Sequence, residues 1–170
     1  MRVLITGGGG FVGSHLVDLL SEEGHEIIVI DFISNHNNLN NLTKKKNISH
    51  YFADISEPSI LQKIIQKDDW VIHLAAQSHV DVSFSQPSKT ILSNVLATHN
   101  VLENSRRNEA EKVLIMSTDE VYGSVETIDD IHSLNPTNPY SASKAAADMI
   151  TNSYKHMYPD LHINTLRSNN

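Results

Sequence analysis

The chain has 170 residues, no cysteine and a formal net charge of −7. That length suffices for one domain with a real core. The missing cysteines exclude disulfides, thiolate catalysis and Cys-based metal sites, and the acidic balance argues against nucleic acid and anionic membranes as partners, since both need basic faces.

The opening run Met1-Arg2-Val3-Leu4-Ile5-Thr6 turns into glycines too soon for a signal peptide or a membrane span, so the expectation is a soluble, cytoplasmic protein. Val3-Leu4-Ile5 predicts a first strand. Val12, Leu16, Leu19 and Leu20 follow at helical spacing, with Gly24 able to end that helix. Ile27-Ile28-Val29-Ile30 is a wholly apolar second strand, the pattern of a strand covered on both faces. Residues 34–47 are rich in Asn, contain Lys44-Lys45-Lys46 and read as a solvated loop. His50-Tyr51-Phe52-Ala53 is a weaker third strand. Ser56 can cap a helix with Pro58 in its first turn and Ile60, Leu61, Ile64 and Ile65 as its apolar stripe. Trp70–Leu74 predicts a fourth strand. Leu92, Val95, His99 and Leu102 mark a long helix from Pro87 to Arg107. Val113–Met116 predicts a fifth strand, Pro139–Met157 a helix stopped by Pro159, and Ile163–Leu166 the start of a sixth strand. Strand and helix alternating in this way imply a parallel sheet wound by right-handed crossovers, in three αβα layers. Neither an internal repeat nor a dividing linker interrupts residues 1–170.

Thr6-Gly7-Gly8-Gly9-Gly10-Phe11-Val12-Gly13 lies between the first strand and the first helix. Glycines at 7, 10 and 13 allow a tight turn, close approach to a pyrophosphate and packing of the helix on the sheet, in the Rossmann manner, with Phe11 and Val12 at the helix start. No Gly-Lys-Ser/Thr ending marks a mononucleotide P-loop. Asp31 closes the second strand. A carboxylate there can accept both ribose hydroxyls of an adenosine and would repel a 2′-phosphate, and no Arg or Lys stands between 32 and 43; this favours NAD over NADP. A strand-end Asp capping a turn is the plainer alternative. Asp54-Ile55 is a candidate for the adenine edge.

Tyr140 and Lys144 stand four residues apart on one helical face. A phenol, with a free pKa of about 10, needs help to act as a base near neutrality, and a lysine cation and a positive nicotinamide ring would both favour the phenolate. An ordinary amphipathic helix with Tyr on its core side would look the same. Ser117-Thr118-Asp119-Glu120-Val121-Tyr122-Gly123 follows the fifth strand, at the end of the sheet where ligands bind. Two adjacent acids there can divide acid and base roles; equally, Thr118 and Asp119 can cap the next segment. The ten histidines are scattered, His73 and His79 being the only suggestive pair, so no metal site is expected.

Together, Thr6-Gly7-x-x-Gly10-Phe11-x-Gly13, His73-Leu74-Ala75-Ala76 and Tyr140-x-x-x-Lys144 resemble the extended short-chain dehydrogenase/reductases, the NAD-dependent epimerase/dehydratase family. Ser117–Gly123 is similar to the corresponding segment of dTDP-glucose 4,6-dehydratases, and Gln77-Ser78-His79-Val80-Asp81 and Asn138–Ala145 point the same way. Arg167-Ser168-Asn169-Asn170 resembles the start of a family motif that continues with Tyr-Gly-Pro.

The resemblance implies an NAD-dependent lyase acting on a nucleotide sugar such as dTDP-glucose. Tyr140, held by Lys144, takes the proton of the sugar 4-hydroxyl while Thr118 hydrogen-bonds that oxygen, and hydride passes from C4 to NAD. Glu120 removes the C5 proton, Asp119 protonates the departing 6-hydroxyl, and hydride returns to C6 to give a 4-keto-6-deoxy sugar. Ala75, Ala76 and Ser117 line the cofactor; Ser78, Asn94 and Asn169 join Thr118 on the substrate. The short stretch from Asp31 to Asp54 resembles UDP-sugar 4-epimerases and UDP-glucuronate decarboxylases instead, but these usually lack an acidic pair after the Thr. Family members are longer, and their C-terminal half grips the nucleoside diphosphate. The resemblance thus implies that this chain carries most of the cofactor site and the catalytic residues, stops after the sixth strand and lacks the substrate domain. It would work as a homodimer, as in relatives that pair through two long helices, or with a partner chain that supplies that half. An NAD-binding module without turnover is the rival from another functional class.

Overall fold

Val3, Leu4 and Ile5 point apolar side chains to both sides of the backbone and are fully buried in β1 (Arg2–Thr6), at the centre of a sheet. The computed structural model describes residues 1–32, 45–124 and 133–169. After β1 come α1 (Phe11–Glu22), β2 (Glu26–Asp31), β3 (Ile48–Phe52), α2 (Ser59–Ile64), β4 (Trp70–His73), α3 (Val80–Ser85) and α4 (Pro87–Ile91). A π-helical turn (Leu92–Leu96) leads into α5 (Ala97–Arg107), followed by β5 (Lys112–Thr118), a 3₁₀ turn (Asp119–Tyr122), α6 (Pro139–Met157) and β6 (His162–Ser168). The six strands pair in parallel in the order β3-β2-β1-β4-β5-β6. The direction of winding therefore reverses between β1 and β4, which opens a crevice at their carboxyl ends.

Alternate residues of each strand feed two cores. Val3, Ile5, Ile27 and Val29 pack with Val17 of α1 on one face. Leu4, Ile28, Ile30, Val71, Val113 and Ile115 pack with Leu61 of α2 and Val101 and Leu102 of α5 on the other, where Ile150 and Tyr154 of α6 join them. The first face is well covered only over β1 and β2. Over β4, β5 and β6 the residues on that side (Ile72, Leu114, Met116 and Leu166) remain half-buried or exposed.

Three local expectations change. Ser56 does not cap α2, because its own N–H is held by the Asp54 carboxylate (2.9 Å) in a tight turn; the helix starts at Ser59 with no side-chain cap. β3 begins two residues early, at Ile48, because Asn47 ties its entrance to the end of α1: its amide donates to the Ser21 and His25 carbonyls. The long helix from Pro87 is interrupted by the π turn around Asn94, and a short helix, α3, precedes it. Residues 33–44, most of the Asn-rich stretch, lie outside the described residues, as does Asn170.

Candidate active site

The glycine turn leaves β1 with Gly7 at φ +75°, a left-handed conformation that favours glycine. A Cβ on Gly13 would stand 2.2 Å from the Gly7 carbonyl oxygen, so the first turn of α1 can lie against the loop only if residue 13 is glycine. The N-cap of α1 is Gly10, and no side chain caps this helix. The first-turn amides of Phe11, Val12 and Gly13 are thus left to an outside acceptor, and a diphosphate at the positive end of the helix suits them. Phe11 and Val12 have exposed side chains, so their part in such a site falls to the backbone. Asp31, at the end of β2, accepts a hydrogen bond from the Gly9 N–H (2.8 Å). Burial is the main force on its carboxyl and raises its pKa above the ordinary value. Asp31 thus fixes the glycine loop beside the crevice, the contact that the turn-capping alternative expects. Asp54 is exposed at the neighbouring strand end, while Ile55 is buried.

At the end of β4, Ala75 and Ala76 are half-buried, and the Ala75 backbone would stand 2.7 Å from a Cβ on Gly7. Ser78 is exposed beyond them, as is Asn169 past β6. Asn94 requires a correction. Expected on the substrate, it is instead 1 % exposed. Its Oδ1 accepts from the Gln77 N–H (2.7 Å), and its Nδ2 donates to the Gln77 carbonyl (3.1 Å) and to Ser143 Oγ (2.9 Å). It clamps the loop after β4 to α6.

β5 delivers Ser117 and Thr118, both buried, and then the acidic turn. Thr118 Oγ1 accepts from the Glu120 N–H (3.3 Å) and donates to Asp119 Oδ1 (3.4 Å), so Thr118 does cap the turn. Among the described residues the buried Ser117 hydroxyl has no hydrogen-bond partner. Opposite the acids, Asn138 and Ser141 form a reciprocal cap on α6, and Asn138 Nδ2 also donates to Glu120 Oε2 (3.2 Å). Asn138 was not picked out from the sequence as a site residue, because Asn-x-x-Ser differs from the usual Ser/Thr-x-x-Glu/Gln box.

Tyr140 and Lys144 both face inward from α6. Lys144 Nζ donates to the Met116 carbonyl (2.6 Å), and burial lowers its pKa to about 8, against the opposing field of Asp148. Tyr140 differs from expectation. Its pKa is raised, first by burial and then by Glu120, while a hydrogen bond with Thr118 pulls the other way and Asp119 adds to the rise. The ammonium alone does not activate this phenol. The same coupling brings Tyr140, Thr118, Glu120 and Asp119 into one electrostatic neighbourhood at the crevice mouth. Among the described residues no group of three or more His, Asp or Glu could hold a metal ion, and no helix is long and apolar enough to cross a membrane.

Against known proteins, residues 4–170 match the GDP-mannose 4,6 dehydratase family. A dTDP-D-glucose 4,6-dehydratase of Dictyostelium discoideum is 43% identical, over 90% of this chain and 40% of its own length. A dTDP-glucose 4,6-dehydratase of Streptomyces venezuelae, solved with NAD bound, superposes with a TM-score of 0.87 at 33% identity, covering 97% of this chain and 55% of that one. A UDP-glucose 4-epimerase of Thermotoga maritima gives 0.88 at 30%, covering 98% and 55%. The chain spans about half the length of the curated relatives it matches. The glycine turn, the acidic turn and the Tyr–Lys helix share one crevice, and the match runs through all of them: the chain belongs to the GDP-mannose 4,6 dehydratase family.

Proposed function

We propose that residues 1–170 form the NAD-binding and catalytic part of a nucleotide-sugar 4,6-dehydratase acting on dTDP-glucose or a close analogue. The observation that carries this reading is the meeting of Thr118, Asp119 and Glu120 with Tyr140 at one crevice mouth, with Lys144 one helical turn behind the phenol. In this reading the α1 amides hold the diphosphate of NAD and Asp31 its adenosine ribose; Asp54 and Ile55 edge the adenine, Ala75 and Ala76 leave room for the dinucleotide, and the Ser117 hydroxyl gains a partner. Bound NAD supplies a reversible hydride acceptor. Tyr140 Oη receives the proton of the sugar 4-hydroxyl, and Thr118 Oγ1 hydrogen-bonds the same oxygen. Because Tyr140 sits above its ordinary pKa in the protein alone, the positive charge of the nicotinamide ring would work with Lys144 to make that transfer possible. Glu120, steadied by Asn138, takes the proton from C5, which the new ketone has acidified, and Asp119 gives one to the leaving 6-hydroxyl. Ser78 and Asn169 remain candidates for the sugar nucleotide. We also propose assembly, either with a second copy of the chain or with a chain supplying a substrate half. The fold shared with epimerases supports a UDP-sugar 4-epimerase as the second reading.

The test is direct. NAD should bind more tightly than NADP by calorimetry; equal affinities remove the role of Asp31. With NAD and dTDP-glucose, the 4-keto-6-deoxy product should appear by its absorbance in alkali. Glu120→Gln should slow water loss by about 10²–10⁴-fold, as expected for loss of a general base, while oxidation at C4 persists. An unchanged elimination rate ends the role of Glu120, and C4 inversion without keto product selects the epimerase.

A further inference from the structure

Beyond Lys144 on the same face of α6 lies Asp148, one further turn along, and it is 1 % exposed. A carboxylate buried so deeply costs several kcal/mol in desolvation unless cations and donors compensate it. Its Oδ2 accepts from Arg167 Nε at 2.9 Å. Its Oδ1 is buried and, among the described residues, has no hydrogen-bond partner. Arg167 stands near the carboxyl end of β6, donates from Nη1 to the Tyr122 hydroxyl (3.0 Å) and lies 5.3 Å from the centre of the Tyr122 ring. Tyr122 closes the 3₁₀ turn that begins with Asp119 and Glu120. One ion pair thus joins α6, the acidic turn and the last strand. Helix packing alone would be served as well by an apolar residue at 148, and a single hydrogen bond leaves half of the carboxylate uncompensated.

We propose that Asp148 is a positioning residue that keeps the Lys144 ammonium charged inside the protein, and that Arg167 sets how much of the carboxylate's field reaches it. The inference rests on the Tyr140–Lys144 pair assigned above. Among the described residues, Tyr140 and Asp148 lie on the helix of Lys144 and His73 on β4; Asp119 and Glu120 act on Tyr140, Arg167 on β6 pairs with Asp148, and Lys155, near the end of α6, interacts with both partners of that pair. His73 is buried and neutral near pH 7 and adds no charge, its pKa being lowered to about 3 by burial first and by Lys144 second. Asp148, one turn along the helix, supplies the negative field that acts on Lys144, and it opposes burial. Arg167 competes for the same carboxylate. Removing Asp148 should therefore make Lys144 easier to deprotonate, and removing Arg167 should make it harder. A salt bridge that did not act on Lys144 would move neither midpoint beyond the scatter.

The experiment is a titration of the full chain with ¹³C-labelled lysine, the Lys144 resonance being assigned by its loss in Lys144→Met. Asp148→Asn should lower the Lys144 midpoint by about one pH unit or more, and Arg167→Gln should raise it by about half a unit, shifts in the range of single nearby charges. A midpoint in Asp148→Asn within about 0.3 units of the parent, smaller than such charges produce, overturns the inference. If Asp148→Asn does not fold, Arg167→Gln decides alone, and a midpoint at or below the parent's overturns it. No cofactor or substrate enters this measurement. Its failure would leave the dehydratase reading standing, whereas a failure to bind NAD or form keto sugar would leave the charge coupling of Asp148 to Lys144 but remove its catalytic purpose.

Discussion

His73 lies between two threonine hydroxyls at the centre of the molecule. Thr98 Oγ1 donates its one proton to the Asn94 carbonyl (2.7 Å), so at the His73 contact (3.1 Å) it can only accept, and Nε2 must carry the imidazole proton. Nδ1 is then the acceptor for the Thr6 hydroxyl at 2.7 Å. This neutral tautomer ties the end of β4 to the end of β1 and to the first turn of α5. Burial first, and Lys144 second, lower the pKa of His73 to about 3 from an ordinary 6.5. The unfolded chain binds a proton near pH 6.5 and the folded chain does not, so the unfolded state gains protons as pH falls from 6.5 toward 3, and stability falls with it, by at most about 1.4 kcal/mol per unit from this group. Urea midpoints measured between pH 7 and 5 should drop more steeply in the parent than in His73→Asn; parallel curves would mean that this imidazole is not held neutral. The sequence offered His73 as part of His-Leu-Ala-Ala and as one of a suggestive pair with His79, neither of which shows its tautomer or its burial. Asp31, Tyr140 and Lys144 were legible as types at a spacing. The raised pKa of Tyr140 was not, because it arises from burial and from Glu120, whose approach across the crevice no local pattern records. The reassignment of Asn94 has the same cause, since its partners Gln77 and Ser143 are 17 and 49 residues away.

The elements were easiest to read where one local rule decided them. Four strands with near-continuous apolar runs, β1, β2, β4 and β5, and the helix between Pro139 and Pro159 stand where periodicity and punctuation put them. Boundaries set by a distant side chain moved: Asn47 advanced β3, and Asp54 took the Ser56 amide away from α2. The π turn could not be read from spacing, because an apolar stripe with one extra residue still resembles a helix; such insertions gather at functional positions, and here the inserted turn carries Asn94. The glycine turn gives the sharpest prediction at this scale. A Cβ at Gly13 would meet the Gly7 carbonyl oxygen at 2.2 Å and Gly8 Cα at 2.8 Å, all backbone. Gly13→Ala should therefore destabilise the chain by about 1–3 kcal/mol, the range for overpacking, and weaken NAD binding with it. Gly24, at φ +82° with nothing within 4 Å of an added Cβ, is a control: Gly24→Ala should cost about 1 kcal/mol of left-handed strain and leave binding alone. Urea unfolding with NAD calorimetry separates the two, and equal binding losses would show that the crowded loop is not what matters.

Across the molecule, the described residues cover one face of the doubly wound sheet along its width and the other face only in part. Parallel sheets are stable when both faces are covered. α2, α5 and α6 cover one face from β2 to β6, but α1 covers the other only over β1 and β2. Beyond it, Ile72, Leu114 and Met116 are half-buried and Leu166 is 49% exposed, forming an apolar strip that ends at the edge strand β6. Phe84, Ile91 and Leu92 are also exposed, but on α3, α4 and the π turn that pack with α6. A helix-to-helix homodimer would cover the second set and leave the strip bare; a chain supplying a further half would cover the strip. Contiguous apolar surface of this kind marks an interaction site or an aggregation liability. The isolated chain should therefore bind an apolar dye such as anilinonaphthalene sulfonate strongly, and Leu166→Asn should reduce that signal without altering the unfolding midpoint, since an exposed edge position contributes little to the core. Ile91→Asp should change the sedimentation behaviour instead and leave most of the dye signal. If Leu166→Asn changes nothing while Ile91→Asp abolishes dye binding, the bare strip is not the reactive surface, and assembly through the helices would be the sole route to a covered molecule.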